Sequence, residues 1–518
     1  MVGLLTIEQW VVFLVPTALV LAPVTALLMR WRYNATVRRL MRTGSGLQPA
    51  SQTGRSRPTP STSRQALKID FRAPPGRLVP SRAMVRLGLG YFVAGASYAL
   101  ALTIVLLLFQ DYGVSAKRTL ILTLVFSTLA VFSGLYVAGV RFLLIILFSL
   151  SWLMVAMGLA ALASRDGSTV WPLSYIVVLP FVIGVLLMNR KVGTIAPLLI
   201  LPSMLIAAGF WIFSALLVNI SLHLGMPAVA WFVAPLALLA ALGGGWLCLA
   251  VMARQYRKGK VSELMLQNDV LWVLTSVNLA HPYIASHGWK ALAMFIPFIV
   301  YRVVLGLFFR LSRPSSDPIR LLFLRVFGFQ KRQGELHRVM LNAWRQQGPV
   351  ALIGAPDSAL DTLDPPELFA FVTGRLKTLF IPDAAAVRSE LDRPQVRASD
   401  GLYQVDDFYC FEDTWQPSVQ TLIESSQRVV MDLRGFNAQN MGCVFEIEQL
   451  LQRCELAQLV FLADSATDQA FLSQTLASAW GRQDRVRGDM SASLTVWMID
   501  GAGALRGLTH QLGSQPDP

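Results

Sequence analysis

The chain has 518 residues, of which 54% are hydrophobic and only 15% charged, with a mean hydropathy of +0.51. Such a composition excludes an ordinary soluble protein and points to an integral membrane protein. Charge is unevenly divided: residues 1–316 hold 27 Lys+Arg against six acids (Glu8, Asp70, Asp111, Asp166, Glu263, Asp269), a formal +21, whereas the rest holds 18 against 25, or −7.

A membrane-spanning helix needs about 20 consecutive apolar residues, because lipid cannot satisfy backbone polar groups. Seven runs qualify: Trp10–Leu28, Leu87–Phe109, Thr119–Val137, Phe142–Ala163, Val170–Met188, Ile195–Val218 and Ala228–Met252. The first lacks a basic lead and a small-residue cleavage site, so it reads as a retained span rather than a signal peptide. Arginines follow it (Arg30, Arg32, Arg38, Arg39, Arg42), and Arg141, Arg190, Lys191, Arg254 and Arg257 recur at alternate turns. Basic turns stay in the cytoplasm, which places the N-terminus outside and the later domain inside. Arg over Lys, with many Ala and Leu, suggests a bacterial inner membrane.

The segments expected are a first span with its basic flank at 1–42, a disordered Ser/Pro/Arg-rich linker at 43–86, a six-span bundle at 87–253, a membrane-associated hairpin at 254–316, a cytoplasmic α/β domain at 317–505 and a tail at 506–518. The linker is nearly devoid of large apolar residues until Leu67 and so has little to bury. In the hairpin, Glu263, Asn268 and Asp269, then Lys290 and Arg302, interrupt apolar stretches. Charge at membrane depth is costly, so two amphipathic helices lying in the interface or re-entering it are favoured over two further spans.

Beyond Asp317 short apolar strands alternate with amphipathic helices. Strands are expected at Arg320–Phe327, Pro349–Ala355, Arg428–Leu433, Gln458–Ala463 and Ser493–Ile499, and an aromatic-rich strand or loop at Tyr403–Phe411. Helices are expected at Lys331–Gln347, Pro366–Phe380, Ala384–Leu391, Gln416–Ser426, Asn440–Arg453 and Asp468–Trp480. This alternation predicts a parallel, doubly wound sheet of flavodoxin type, with ligands at the carboxyl ends of the strands. Arg325, Gly328, Gly354, Asp357, Asp432 and Arg434 fall at those ends.

The most informative stretch is Val429–Leu451, VVMDLRGFNAQNMGCVFEIEQLL. A buried strand delivers Asp432 and Arg434 to its tip, a turn containing Asn440 follows, and a helix opens with Cys443 and, one turn on, Glu446. This pattern resembles the Toll/interleukin-1 receptor (TIR) domain, in which a strand and turn lead into a helix bearing Trp-Cys-x-x-Glu-Leu. Gly442 stands here in place of the Trp, and the first strand reads LLFLRVFG. The resemblance implies that Glu446 corresponds to the glutamate with which enzymatic TIR domains cleave the nicotinamide bond of NAD, with NAD as substrate rather than resident cofactor, and self-association through that domain. A carboxylate beside an oxocarbenium-like centre suits such N-glycosidic cleavage. A purely structural reading also accounts for these residues: Asp432 paired with Arg434, Cys443 in the core, and Glu446 paired with Arg453 on a solvated face.

Walker, G-x-G-x-x-G, G-x-S-x-G and HExxH signatures are absent, the five histidines are dispersed and no metal site is expected. The four cysteines (Cys248, Cys410, Cys443, Cys454) form neither a disulfide framework nor a zinc spacing. The acidic balance of the soluble part argues against nucleic acid. Partners are then the lipid bilayer, a second copy, or a cytoplasmic protein. Three classes stand: a membrane sensor or effector whose α/β domain binds or cleaves a nucleotide, a non-catalytic scaffold, and a transporter with a regulatory domain. Scarcity of ionisable residues in the spans weighs against the last.

Overall fold

The computed structural model describes residues 22–43, 67–74, 82–109, 115–163, 170–187, 230–311, 317–326, 344–354, 365–482 and 493–499, with a few isolated positions between. Gly328, Asp357, most of the runs Trp10–Leu28 and Ile195–Val218, and most of the expected helix Lys331–Gln347 lie outside them.

The helices of the first part are α1 (Ala22–Met41), α2 (Arg82–Phe109), α3 (Ala116–Phe126), α4 (Thr128–Val137), α5 (Phe142–Ala163), α6 (Val170–Leu187), α7 (Ala230–Arg257), α8 (Glu263–His287) and α9 (Ile296–Leu311). Among the described residues, five helical stretches are long and apolar enough to cross a membrane: Arg82–Phe109, Ala116–Val137, Phe142–Ala163, Pro235–Arg257 and Lys290–Leu311. α5 shows what such a helix looks like at a lipid-facing edge. Its buried residues Ile145, Ser149, Leu153, Ala156 and Ala160 form one narrow stripe, and Leu143, Phe148, Met154 and Leu162 point outward. α2 and α4 approach closely over small residues, and a Cβ at Gly88 would meet Ala138 Cβ at 2.6 Å. Where apolar burial offers little drive, as in lipid, this kind of packing holds helices together.

α8 occupies the first half of the expected membrane-associated hairpin. It is buried on all sides from Glu263 through Ala280 apart from half-buried Glu263 and Gln267, and its polar residues Asn268, Asp269 and Ser276 each meet a partner on a neighbouring helix. Asn268 accepts from the Ser133 hydroxyl and donates to Leu264 O at 2.9 Å, and Ser276 lies 2.9 Å from the Tyr98 hydroxyl. Asp269 takes a 2.6 Å hydrogen bond from Arg302 of α9. A helix surrounded by apolar neighbours keeps polar residues only when they are paired like this.

The second part is built on an eight-stranded, all-parallel sheet. Its strands are β1 (Lys68–Arg72), β2 (Leu321–Arg325), β3 (Val350–Gly354), β4 (Phe380–Ile381), β5 (Val405–Cys410), β6 (Arg428–Asp432), β7 (Leu459–Ala463) and β8 (Ser493–Met498), in the order β1-β8-β7-β6-β2-β3-β5-β4. Its helices are α10 (Pro365–Val372), α11 (Ala384–Leu391), α12 (Trp415–Glu424), α13 (Met441–Arg453) and α14 (Gln469–Gly481). Side chains alternate along each strand. Leu322, Leu324, Val429, Met431 and Phe461 enter one core with α11 to α14, whereas Leu321, Phe323, Val430 and Leu462 enter another with Leu341 and Trp344. At the β4–β5 end this second face is continuous with the membrane bundle: Phe380, Tyr409 and Phe411 share a core with Leu368 of α10, Tyr33 and Val37 of α1, and the buried residues of α2 and α8.

Within residues 43–86, read from the sequence as an unstructured linker, Lys68–Arg72 form β1. Lys68–Arg72 pair in parallel with Ser493–Trp497, and Leu67, Ile69 and Phe71 pack against the helical core. Alternation over five residues was enough to close the open edge beyond β8. Residues 82–86 already belong to α2.

Candidate functional site

The chain runs from β2 through β3 toward one edge, returns, and places β6 on the other side of β2. Between β2 and β6 the winding reverses, and their carboxyl ends form the crevice where open parallel sheets hold ligands. Arg325 and Asp432 stand directly opposite each other there.

The tip of β6 is largely self-satisfied. Arg434 Nε and Nη2 donate to the two oxygens of Asp432 at 2.8 and 2.7 Å, and both side chains are buried. Burial alone would lower the Arg434 pKa, but the hydrogen bond and charge of Asp432, with Asp464 beyond, hold it above its ordinary value. Gly435, at φ +73°, donates its N–H to Asp464 Oδ1 at 2.9 Å and Thr467 Oγ1 at 3.1 Å, which ties the turn after β6 to the turn after β7. Asn440 Oδ1 accepts from Asn437 N–H at 2.9 Å and so closes the turn that precedes α13.

On α13 the buried positions Cys443, Glu446, Ile447 and Leu450 follow the helical repeat, so Glu446 faces the sheet instead of solvent. It is 2% exposed, and its Oε2 has no hydrogen-bond partner among the described residues. Burial pushes its pKa up to about 8, so the side chain is a neutral acid at neutral pH. The Cys443 thiol, 4.0 Å from Arg325 O, is pushed up by burial and then by the neighbouring Glu446 and Asp432. It is a protonated core thiol, not a nucleophile. Pairing of Glu446 with Arg453 is overturned, because Arg453 bonds Gln449 at 3.0 Å and reaches Glu424.

The other expected positions separate. Gly354 faces the Tyr409 ring, where a Cβ would sit 2.7 Å from the nearest ring carbon. Close packing between β3 and β5 therefore explains that glycine. Asp406 lies inside β5, where burial pushes its pKa to about 6 against the opposing charge of Arg320. Among the described residues no three His, Cys, Asp or Glu side chains converge to hold a metal.

A second polar centre escaped sequence reasoning. Asp400, fully buried at the junction of the two parts, accepts from the Tyr91 hydroxyl of α2 at 2.9 Å, from the Ser262 hydroxyl ahead of α8 and, through Oδ1, from Leu402 N–H at 3.2 Å. Around it Ser399 N–H donates to Lys260 O, Gln346 Nε2 to Ala83 O, and Gln404 Nε2 to Tyr256 O. No local signal marks Asp400, because its partners lie 309 and 138 residues away.

Apolar helices of spanning length docked onto an all-parallel α/β sheet define the class of the molecule: a membrane-helix protein with an attached α/β domain. No family model matches the chain, and neither the curated proteins nor the solved structures include a match.

Proposed function

We propose that the protein is a membrane-embedded sensor or effector, in which the cytoplasmic α/β domain reports the state of the helical bundle and binds or cleaves a nucleotide such as NAD at the β2–β6 crevice. One observation carries the coupling: the buried Asp400 carboxylate is held by hydroxyls from two membrane-part segments at once. A shift of α2 against α8 changes the donors of a carboxylate that has no water to replace them. Glu446, whose buried Oε2 has no hydrogen-bond partner among the described residues, supports the nucleotide part: nicotinamide leaves NAD as a neutral molecule and needs no proton, but the water that attacks the oxocarbenium-like centre must lose one, and a carboxyl group whose pKa is raised to about 8 can accept it once ionised. Full-length protein and its Glu446→Gln variant, incubated with NAD in nanodiscs, test it. Turnover lost in the variant supports the reading; a wild-type protein that neither binds nor cleaves NAD overturns the nucleotide part.

Transport with a regulatory domain is the second reading, favoured by the Asp269–Arg302 pair inside the bundle. Arg302 lies nine residues before Leu311, about 13 Å along the helix. Charged pairs at such depth mark ion and substrate pathways in transporters.

A further inference from the structure

α1 presents two unlike faces. Tyr33 and Val37, four residues apart, are buried against the α/β domain: the Tyr33 hydroxyl lies 3.3 Å from Glu367 Oε2 and 3.4 Å from the Tyr409 hydroxyl, and its ring meets Phe371 edge to face at 5.4 Å. Met41 O at the helix end accepts from Glu412 N–H at 3.1 Å. On the other side a groove of about 640 Å³ runs beside Trp31, Asn34, Arg38, Arg39 and Arg42. Among the described residues none of these three guanidiniums has a carboxylate in salt-bridge range, and the Asn34 amide oxygen has no donor.

The position of the groove selects its occupant. α1 continues an apolar run that ends at Leu28, with Leu27 and Leu28 exposed and Trp31 70% exposed directly after them. Leucines, then an amphipathic ring, then arginines is the order of chemistry met on leaving a bilayer through acyl chains, glycerol region and phosphates. Guanidiniums bind phosphate through paired N–H donors, and an amide oxygen lacking a donor suits a headgroup hydroxyl. We propose that this groove binds an anionic phospholipid with a hydroxylated headgroup, its phosphate held by Arg38, Arg39 and Arg42 and its acyl chains lying along Leu27, Leu28 and Trp31. Because the same helix holds Tyr33 against Glu367 and Tyr409, lipid occupancy is communicated to the edge of the sheet. The lipid site does not depend on the nucleotide reading.

Native mass spectrometry of the full chain, and its thermal stabilisation by short-chain phosphatidylglycerol in a phosphatidylcholine background, test the proposal. The wild-type protein retains phosphatidylglycerol, and Arg38→Gln/Arg39→Gln/Arg42→Gln binds it roughly a hundredfold more weakly. Arg254→Gln/Arg257→Gln, which removes charge from the end of α7, leaves binding within about threefold, by the same scale of surface attraction screened at a distance. If the triple variant does not fold in phosphatidylcholine, the Arg→Lys triple, which keeps the charge but not the paired donors, should still lose about tenfold. Equal losses in the α7 variant, no loss in either α1 variant, or equal stabilisation by inorganic phosphate would each overturn the assignment.

Discussion

The Tyr91 hydroxyl of α2 donates to the Asp400 carboxylate at 2.9 Å, joining a membrane helix to the α/β domain across 309 residues of chain. Both residues are fully buried. A buried carboxylate deprived of one donor has no solvent to turn to, so Tyr91→Phe should destabilise the full-length protein by about 1–3 kcal/mol. Denaturant unfolding in detergent, followed by a probe in the α/β domain, measures this. An unchanged midpoint would show that the bond contributes nothing.

Glu446 makes stability depend on pH. Its folded pKa, near 8, lies above the ordinary glutamate value of 4.5. The folded state therefore retains a proton that the unfolded chain has released. Any stability conferred by the neutral buried acid is fully present below the unfolded value and is lost as pH rises through 8, at about 1.4 kcal/mol per unit at most. Glu446→Gln should match the wild-type protein near pH 4 and be the more stable of the two at pH 8. Parallel unfolding curves at the two pH values decide the point.

The Asp432–Arg434 pair is buried at 2.7 Å, so removing one partner strands a charge. Asp432→Ala should cost about 3–5 kcal/mol, and Asp432→Ala/Arg434→Met should recover part of that loss. A double variant less stable than the single one would show that Arg434 has a second role, toward Asp464 or a ligand.

Pairing of β1 with β8 has a topological consequence. Strands of one sheet cannot sit on opposite sides of a bilayer, so residues 68–72 and the α/β domain share a side. Reporters inserted near residue 55 and after residue 518 should report the same compartment. Phe71→Asp places a charge against the helical core and should expose Lys68 and Arg72 to trypsin without altering that result.

Much of the fold was legible because periodicity is a local property. β2, β3, β6, β7 and β8, and helices such as Phe142–Ala163 and Ala384–Leu391, fall where hydrophobic pattern places them, and β5 forms in a run that pattern left open between strand and loop. Legibility failed where polar residues are satisfied at long range. The partners of Glu263, Asn268 and Asp269, among them Arg345, Ser133 and Arg302, lie far along the chain and leave no local mark. Asp432, Arg434, Cys443 and Glu446 could be placed near one another from their spacing around one strand and one helix, whereas the packing of Gly354 against the Tyr409 ring has no local signal because that ring lies on another strand.

Composition and pattern alone determined that the chain combines long apolar helices with a later strand–helix alternation, since burial in lipid and burial in a sheet each impose a repeat on consecutive residues. Tertiary structure alone decided which polar groups are partnered. It buried Glu446 without a hydrogen bond at Oε2, joined Asp400 to Tyr91 and Ser262, and recruited Lys68–Arg72 to the far edge of the sheet. Each of these depends on contacts between residues distant in sequence, which a one-dimensional pattern does not encode.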